Sequence, residues 1–428
     1  MKKLSAVLIV TLFILTNFIP VYADSLNLDS QSCILIDAKS GQILYEKDSD
    51  KKIFPASTTK IMTAILAIEI GNPDQIMTAS KAAVYDIGVD GMNIGIMPGE
   101  ELRMEDLLNA MLIKSANETA NIIAENLAPT RKDFVDLMNK RAKELGAVNT
   151  NFVNPCGSHD PNHFTTASDM AKIARYAMTL PKFCEIVAKK EYSMPPTNKH
   201  PKWDIPLYST NKLTDNRFKS PLYRVLGMKT GYTSQAGNNF ISSAVNNDGM
   251  ELIGAVMSVR SPIADRVFYN SKDLLEYGFK NFSLQKIAEA NQLVKTLPVM
   301  DSVNNSSVDL VLSSSVECVL PADKSSWNIE TEQYINPAIQ APIKQGEVLG
   351  WVEYTRNGVS LGKSQIVAAA NVEKSMKARA IGTAKQTFSN PTMKKVSSTT
   401  IIVIISFIII RFILKRVSQM VNARRQED

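Results

Sequence analysis

At 428 residues the chain is long enough for two or three domains, each with its own core. Hydrophobic residues make up 45% and charged residues 21%, the balance of a globular protein and not of a disordered or fibrous one. The formal charge of +6 belongs to the ends, with Lys2 and Lys3 at one and a basic excess beyond residue 393 at the other; the near-neutral body lacks the basic surface that nucleic-acid binding requires.

In chain order, Lys2-Lys3, an apolar run over 4–19 and Val21-Tyr22-Ala23 read as a secretory signal over 1–23, closing on a small residue suited to cleavage. Cys33 lies past that run, which excludes a lipoprotein anchor. Pro55-Ala56-Ser57-Thr58-Thr59-Lys60 opens a helix, because Ile61, Ala64, Ile65 and Ile68 recur at helical spacing behind it. Residues 104–113 and 119–127 form two helices around Ser115-Ala116-Asn117, and 134–145 and 167–180 repeat the helical spacing. Lys229-Thr230-Gly231 precedes two strands, 240–245 and 252–259, separated by a polar turn, and 268–279 reads as a closing helix. Strands flanked by helices predict an α+β domain over 24–282, a sheet with helices on its faces. Short strand-like runs over 283–372, with a hairpin turn at Arg356-Asn357-Gly358, predict a small all-β domain. Residues 373–395 read as a linker. The apolar run 396–414 is long enough for a transmembrane helix, and the basic tail 415–428 places that end in the cytoplasm and the body outside.

The chemistry sits in three short segments. Ser57 and Lys60, three apart near a helix start, share a face where a neutral lysine amine can take the serine proton. Burial, the positive helix end and a second cation all favour the uncharged amine. Ser115 and Asn117 offer a hydroxyl and an amide from an interhelical turn. Lys229 and Thr230, on a strand edge, suit a substrate carboxylate, and Gly231 lets another backbone approach. Each segment alone is weak, since capping serines and solvated lysines are common. Together, in the order Ser-x-x-Lys, Ser-x-Asn, Lys-Thr-Gly, they are the set of penicillin-binding proteins and β-lactamases.

On those motifs, and on Tyr45-Glu46-Lys47, 54–63, 91–118, 154–170 and 225–237 around them, the chain resembles the D-alanyl-D-alanine carboxypeptidases, the low-molecular-weight penicillin-binding proteins. The resemblance implies a β-lactamase-like catalytic fold and cleavage of the terminal D-alanine from peptidoglycan stem pentapeptides, with β-lactams as acylating inhibitors. It implies Ser57 as nucleophile, Lys60 as base, Ser115 as proton relay, and Asn117 as holder of the lysine and the substrate amide. Lys229, Thr230 and Gly231 would bind substrate, and the backbone N–H groups of Ser57 and Tyr232 would form the oxyanion hole. It implies partners in the wall and the cell membrane, and no cofactor. Cys156 and Ser158, in Asn154-Pro155-Cys156-Gly157-Ser158-His159, depart from the family pattern, in which a histidine or other polar residue and a leucine are usual.

Rival readings are a β-lactamase, a DD-endopeptidase that cuts cross-links, and a non-catalytic wall-binding or β-lactam-sensing module. The first lacks a glutamate placed to drive fast deacylation, and the last has no need of a Ser–Lys pair. No metal is expected, because Pro161 breaks any helix that would align His159 with His163. The four cysteines show no disulfide framework.

Overall fold

The computed structural model describes residues 26–89, 91–389 and 405–416. The expected signal, 1–23, and the first part of the expected span, 396–404, lie outside those residues. The chain divides into two compact units. The first takes residues up to Gln285 together with Cys318–Asn328 and Arg356–Leu361, and the second takes the remainder.

The first unit is built on a five-stranded antiparallel sheet of β1 (Ser30–Asp37), β2 (Ile43–Lys47), β3 (Arg224–Thr233), β4 (Gly237–Val245) and β5 (Glu251–Val259), in the order β2-β1-β5-β4-β3. Its last three strands match the predicted β-rich region. β1 and β2 come from the N-terminal stretch, where no strand was expected, and β1 pairs with β5 near the middle of the sheet. β1 escaped period-2 reading because both of its faces are buried. Ile34 and Ile36 enter one hydrophobic cluster, while Cys33 and Leu35 enter the other. The first cluster joins Ile241, Ile253 and Met257 to the helical layer of α1 (Lys60–Ile70), α2 (Asn117–Leu127) and α3 (Ala167–Ala177). The second lies under α4 (Arg266–Asn281), the expected closing helix, through Phe268, Leu274 and Leu275. The fold is thus α+β, with helices on both faces of the sheet, as predicted.

This architecture leaves β3 as an edge strand. Lys229 pairs with Ile241, Thr230 with Phe240 and Gly231 with Asn239 on the inner side, so the outer edge of the Lys-Thr-Gly segment is open to a ligand.

The second unit holds a five-stranded sheet in the order Leu293–Pro298, Ser307–Leu312, Val359–Ala368, Val348–Arg356, Glu330–Ile335, with Val308, Leu310, Val352 and Ile366 in its core. This is the expected β-domain. Within the expected linker, Met376–Ser389 is helical. Residues 405–416 form a helix on which Ile405, Phe407, Ile408, Ile409, Ile410, Phe412, Ile413 and Leu414 are exposed. No helix among the described residues is long and apolar enough to cross a membrane.

Candidate active site

Ser57 lies in a single 3-10 turn, Ala56–Thr59, and α1 proper starts at Lys60. A 3-10 turn eclipses side chains three apart more closely than an α turn, which brings Lys60 Nζ to 2.8 Å from Ser57 Oγ. The ammonium donates twice more, to Asn117 Oδ1 at 2.6 Å and to the Cys156 carbonyl at 2.6 Å. All three of its protons are used, and the side chain is fully buried. Burial lowers the Lys60 pKa to about 8, and the nearby Cys156 and Glu118 oppose that shift. The site thus offers the serine an amine that is in part uncharged near neutral pH.

Asn117 is held from both sides. Its Nδ2 donates to the Ile87 carbonyl at 2.7 Å, and its backbone N–H donates to the Met92 carbonyl at 2.7 Å. Its neighbour Glu118 is buried, with Oε1 accepting from the Ile94 N–H at 2.6 Å and Oε2 lacking any partner among the described residues. Burial raises the Glu118 pKa.

The helix expected over 104–113 runs as Met104–Asn109 and then widens into one π turn, Ala110–Lys114. Ser115 follows in the left-handed region at φ 70°. It is buried beside Asn117 but is not among the hydrogen-bond partners of Lys60.

Lys229 is fully buried, and its Nζ donates to the Thr230 carbonyl at 3.0 Å. Burial, and then the charge of Lys60, push its pKa well below the usual lysine value, so an arriving carboxylate would supply the counter-charge it lacks. Thr230 Oγ1 lies 2.6 Å from Thr210 Oγ1. A Cβ at Gly231 would stand 2.9 Å from the Pro55 carbonyl oxygen and 3.1 Å from the Ser57 nitrogen, so β3 presses directly against the turn that carries the serine. Tyr232 follows, with an exposed side chain.

Each motif contains or directly follows a non-glycine residue at positive φ: Ala56 at 49°, just before Ser57, Ser115 at 70°, and Met228 at 121°, just before Lys229. Such backbone costs on the order of 1–3 kcal/mol each and persists only where surrounding contacts hold it.

Those contacts are what sequence reasoning missed. Asn239 Nδ2 donates to the carbonyls of Phe54 at 2.9 Å and Pro55 at 3.0 Å, while its Oδ1 accepts from the Ser258 N–H at 2.7 Å. Thr63 Oγ1 donates to the Pro155 carbonyl at 2.6 Å, tying α1 to the 154–158 loop. Gly157, at φ 87°, packs so closely that a Cβ would fall 2.0 Å from the Ala56 carbonyl oxygen. His163 accepts from the Val153 N–H through Nδ1, which assigns its proton to Nε2, the atom 2.9 Å from Thr59 Oγ1. Burial lowers its pKa to about 3, so it is a neutral brace. Cys156 Sγ contacts Ser158 Oγ at 3.1 Å; the two departures from the family pattern face each other. Within this set the readable hints are Asn239, a buried amide early in the β4 segment Gly237–Val245, and Gly157, a glycine where two backbones meet.

The model of the D-alanyl-D-alanine carboxypeptidase family matches residues 20–261, and that of the penicillin-binding protein 5 C-terminal domain matches residues 282–374. The chain is 28% identical over 387 residues to D-alanyl-D-alanine carboxypeptidase DacF of Bacillus subtilis, covering 87% of this chain and 95% of that protein. It is 30% identical over 362 residues to DacC of Escherichia coli, covering 81% and 85%. Among solved structures, penicillin-binding protein 5 of Haemophilus influenzae superposes with a TM-score of 0.65 at 30% identity, covering 82% of this chain and 99% of that one.

Proposed function

The chain belongs to the D-alanyl-D-alanine carboxypeptidase family, and on that premise we propose that it releases the terminal D-alanine of peptidoglycan stem pentapeptides through an acyl-enzyme on Ser57, the residue that penicillin also acylates. One observation carries this reading: a fully buried lysine amine 2.8 Å from a serine hydroxyl and held by two further acceptors.

Lys229 and Thr230 receive the substrate carboxylate on the open edge of β3. Lys60, in its neutral form, takes the Ser57 proton as Oγ attacks the carbonyl of the penultimate D-alanine. The backbone N–H groups of Ser57 and Tyr232 hold the oxyanion, a contribution of about 3 kcal/mol per donor in comparable sites. Asn117 keeps Lys60 in place and binds the substrate amide. Ser115 passes the proton to the leaving D-alanine, and water then hydrolyses the ester, with Lys60 again as base.

The test is to incubate the purified protein with a stem pentapeptide and assay free D-alanine, then map the penicillin adduct by mass spectrometry. Release of D-alanine with the adduct on the Ser57 peptide is expected. An adduct on Ser115 would overturn the assignment of the nucleophile. Acylation without turnover would favour a sensing role, and cleavage of cross-linked dimers alone would favour an endopeptidase.

The same reading places the body on the outer face of the cell membrane, exported by residues 1–23 and tethered by 396–414. Support comes from the sequence: the apolar run, its polar outer flank and the basic tail. Full-length protein should resist carbonate extraction and need detergent, while a chain ending at Lys395 should be soluble. Release by carbonate alone would replace the span with an interfacial helix.

A further inference from the structure

Thr230 does not stand alone on β3. Its Oγ1 lies 2.6 Å from Thr210 Oγ1, and the backbone around Thr210 is pinned at three successive residues. The Thr210 N–H donates to the Ile113 carbonyl at 3.1 Å, inside the π turn that leads to Ser115. On one flank the Ser209 N–H donates to the Lys190 carbonyl at 2.8 Å. On the other, Asn211 is buried and its Oδ1 accepts from the Leu213 N–H at 3.0 Å, with Leu213 in the second hydrophobic cluster. The Thr210 hydroxyl is therefore held in place before any ligand arrives.

A hydroxyl has one proton to give and two lone pairs with which to accept. The contact between the two threonines uses the proton of one of them. If Thr230 were the donor, it would have no proton left for a carboxylate and would face it with lone pairs alone. If Thr210 is the donor, Thr230 keeps its proton for the ligand, and the two bonds in series strengthen each other. Carboxylate binding therefore selects the second arrangement.

We infer that Thr210, a residue outside the three motifs, is a positioning residue: its hydroxyl donates to Thr230 Oγ1 and so aims the Thr230 proton at the ligand carboxylate. The inference rests on the carboxypeptidase reading above and deepens it. It also ties the carboxylate site to the turn that carries Ser115, since one residue holds both Ile113 and Thr230.

Penicillin and its methyl ester test the role of Thr210, because they differ only at the carboxylate. The second-order acylation rates, acid over ester, are compared as a ratio within each variant, so that general damage to the fold cancels. Thr210→Val should lower the ratio about three- to tenfold, the scale of one hydrogen bond. Thr210→Ser, which keeps the hydroxyl, should restore most of it. Thr230→Val should lower the ratio at least as much, because it removes the charge-assisted bond itself. Adding Thr210→Val to Thr230→Val should then change the ratio by less than about twofold, since one residue acts through the other. An unchanged ratio in Thr210→Val, or losses that multiply in the double variant, would overturn the role of Thr210 and leave acylation at Ser57 standing. Failure of penicillin to acylate the wild type would overturn both.

Discussion

The buried Lys60 makes a quantitative demand on pH dependence. The base form is the neutral amine, so acylation must rise with pH until Lys60 is deprotonated. At the ordinary value of 10.5 about three lysines in ten thousand are neutral at pH 7; at the value of about 8 that burial produces, roughly one in ten is. Burial thus enlarges the competent fraction by about 300-fold, some 3 kcal/mol of the barrier. Single-turnover acylation by a fluorescent penicillin, followed between pH 6 and 9.5, should climb about tenfold per unit below pH 8 and level off above it. Lys229 must carry its charge to hold the carboxylate, and burial works against that charge, so its loss should appear as weaker binding and not as a slower step at saturation. Lys60→Arg should stay inactive throughout, since a guanidinium does not deprotonate in this range. A flat profile from pH 6 to 9, or an arginine variant acylating within about tenfold of wild type, would refute Lys60 as the base.

Gly231→Ala should cut penicillin labelling by well over tenfold, because the new methyl meets backbone atoms of Pro55, Ser57 and Thr58 that cannot swing aside. Asn239→Ala removes three hydrogen bonds and leaves the Phe54 and Pro55 carbonyls without this donor; about 2–4 kcal/mol of stability should be lost, read as a lower denaturant midpoint. Cys156→Ser should acylate within about threefold of wild type, because Lys60 uses the carbonyl of that residue and not its thiol. The Cys156 thiol is only 2% exposed, so it should react with a thiol reagent only as the protein unfolds.

The parts of this site that could be read from sequence are those whose chemistry is fixed by side-chain type. Ser57, Lys60, Asn117 and Lys229 each need a hydroxyl, an amine or an amide, and no other residue would leave the same trace. The helices around them were visible from apolar residues at three- and four-residue spacing, although α1 and α2 are buried on every side over their first two turns. β1 was not, since both of its faces are buried and its run of Cys33, Ile34, Leu35 and Ile36 has no alternation. The π turn and the left-handed Ser115 were hidden for a related reason: the sequence 110–115 contains no glycine to announce an unusual φ.

The rest of the site is supported by main-chain carbonyls: Cys156 for Lys60, Ile87 for Asn117, Phe54 and Pro55 for Asn239, Pro155 for Thr63. Every residue type supplies a carbonyl, so none of these roles leaves a signature at its own position. What sequence does register is the steric consequence, a glycine where two backbones meet. Gly157 and Gly231 approach the serine turn from opposite segments, and each has a neighbour that a methyl would strike. The same logic explains how Cys156 and Ser158 can depart from the family pattern beside Ser57. Their side chains bond to each other and to the Asn154 and Ile87 oxygens, while the contact that Lys60 requires comes from a group that substitution does not alter.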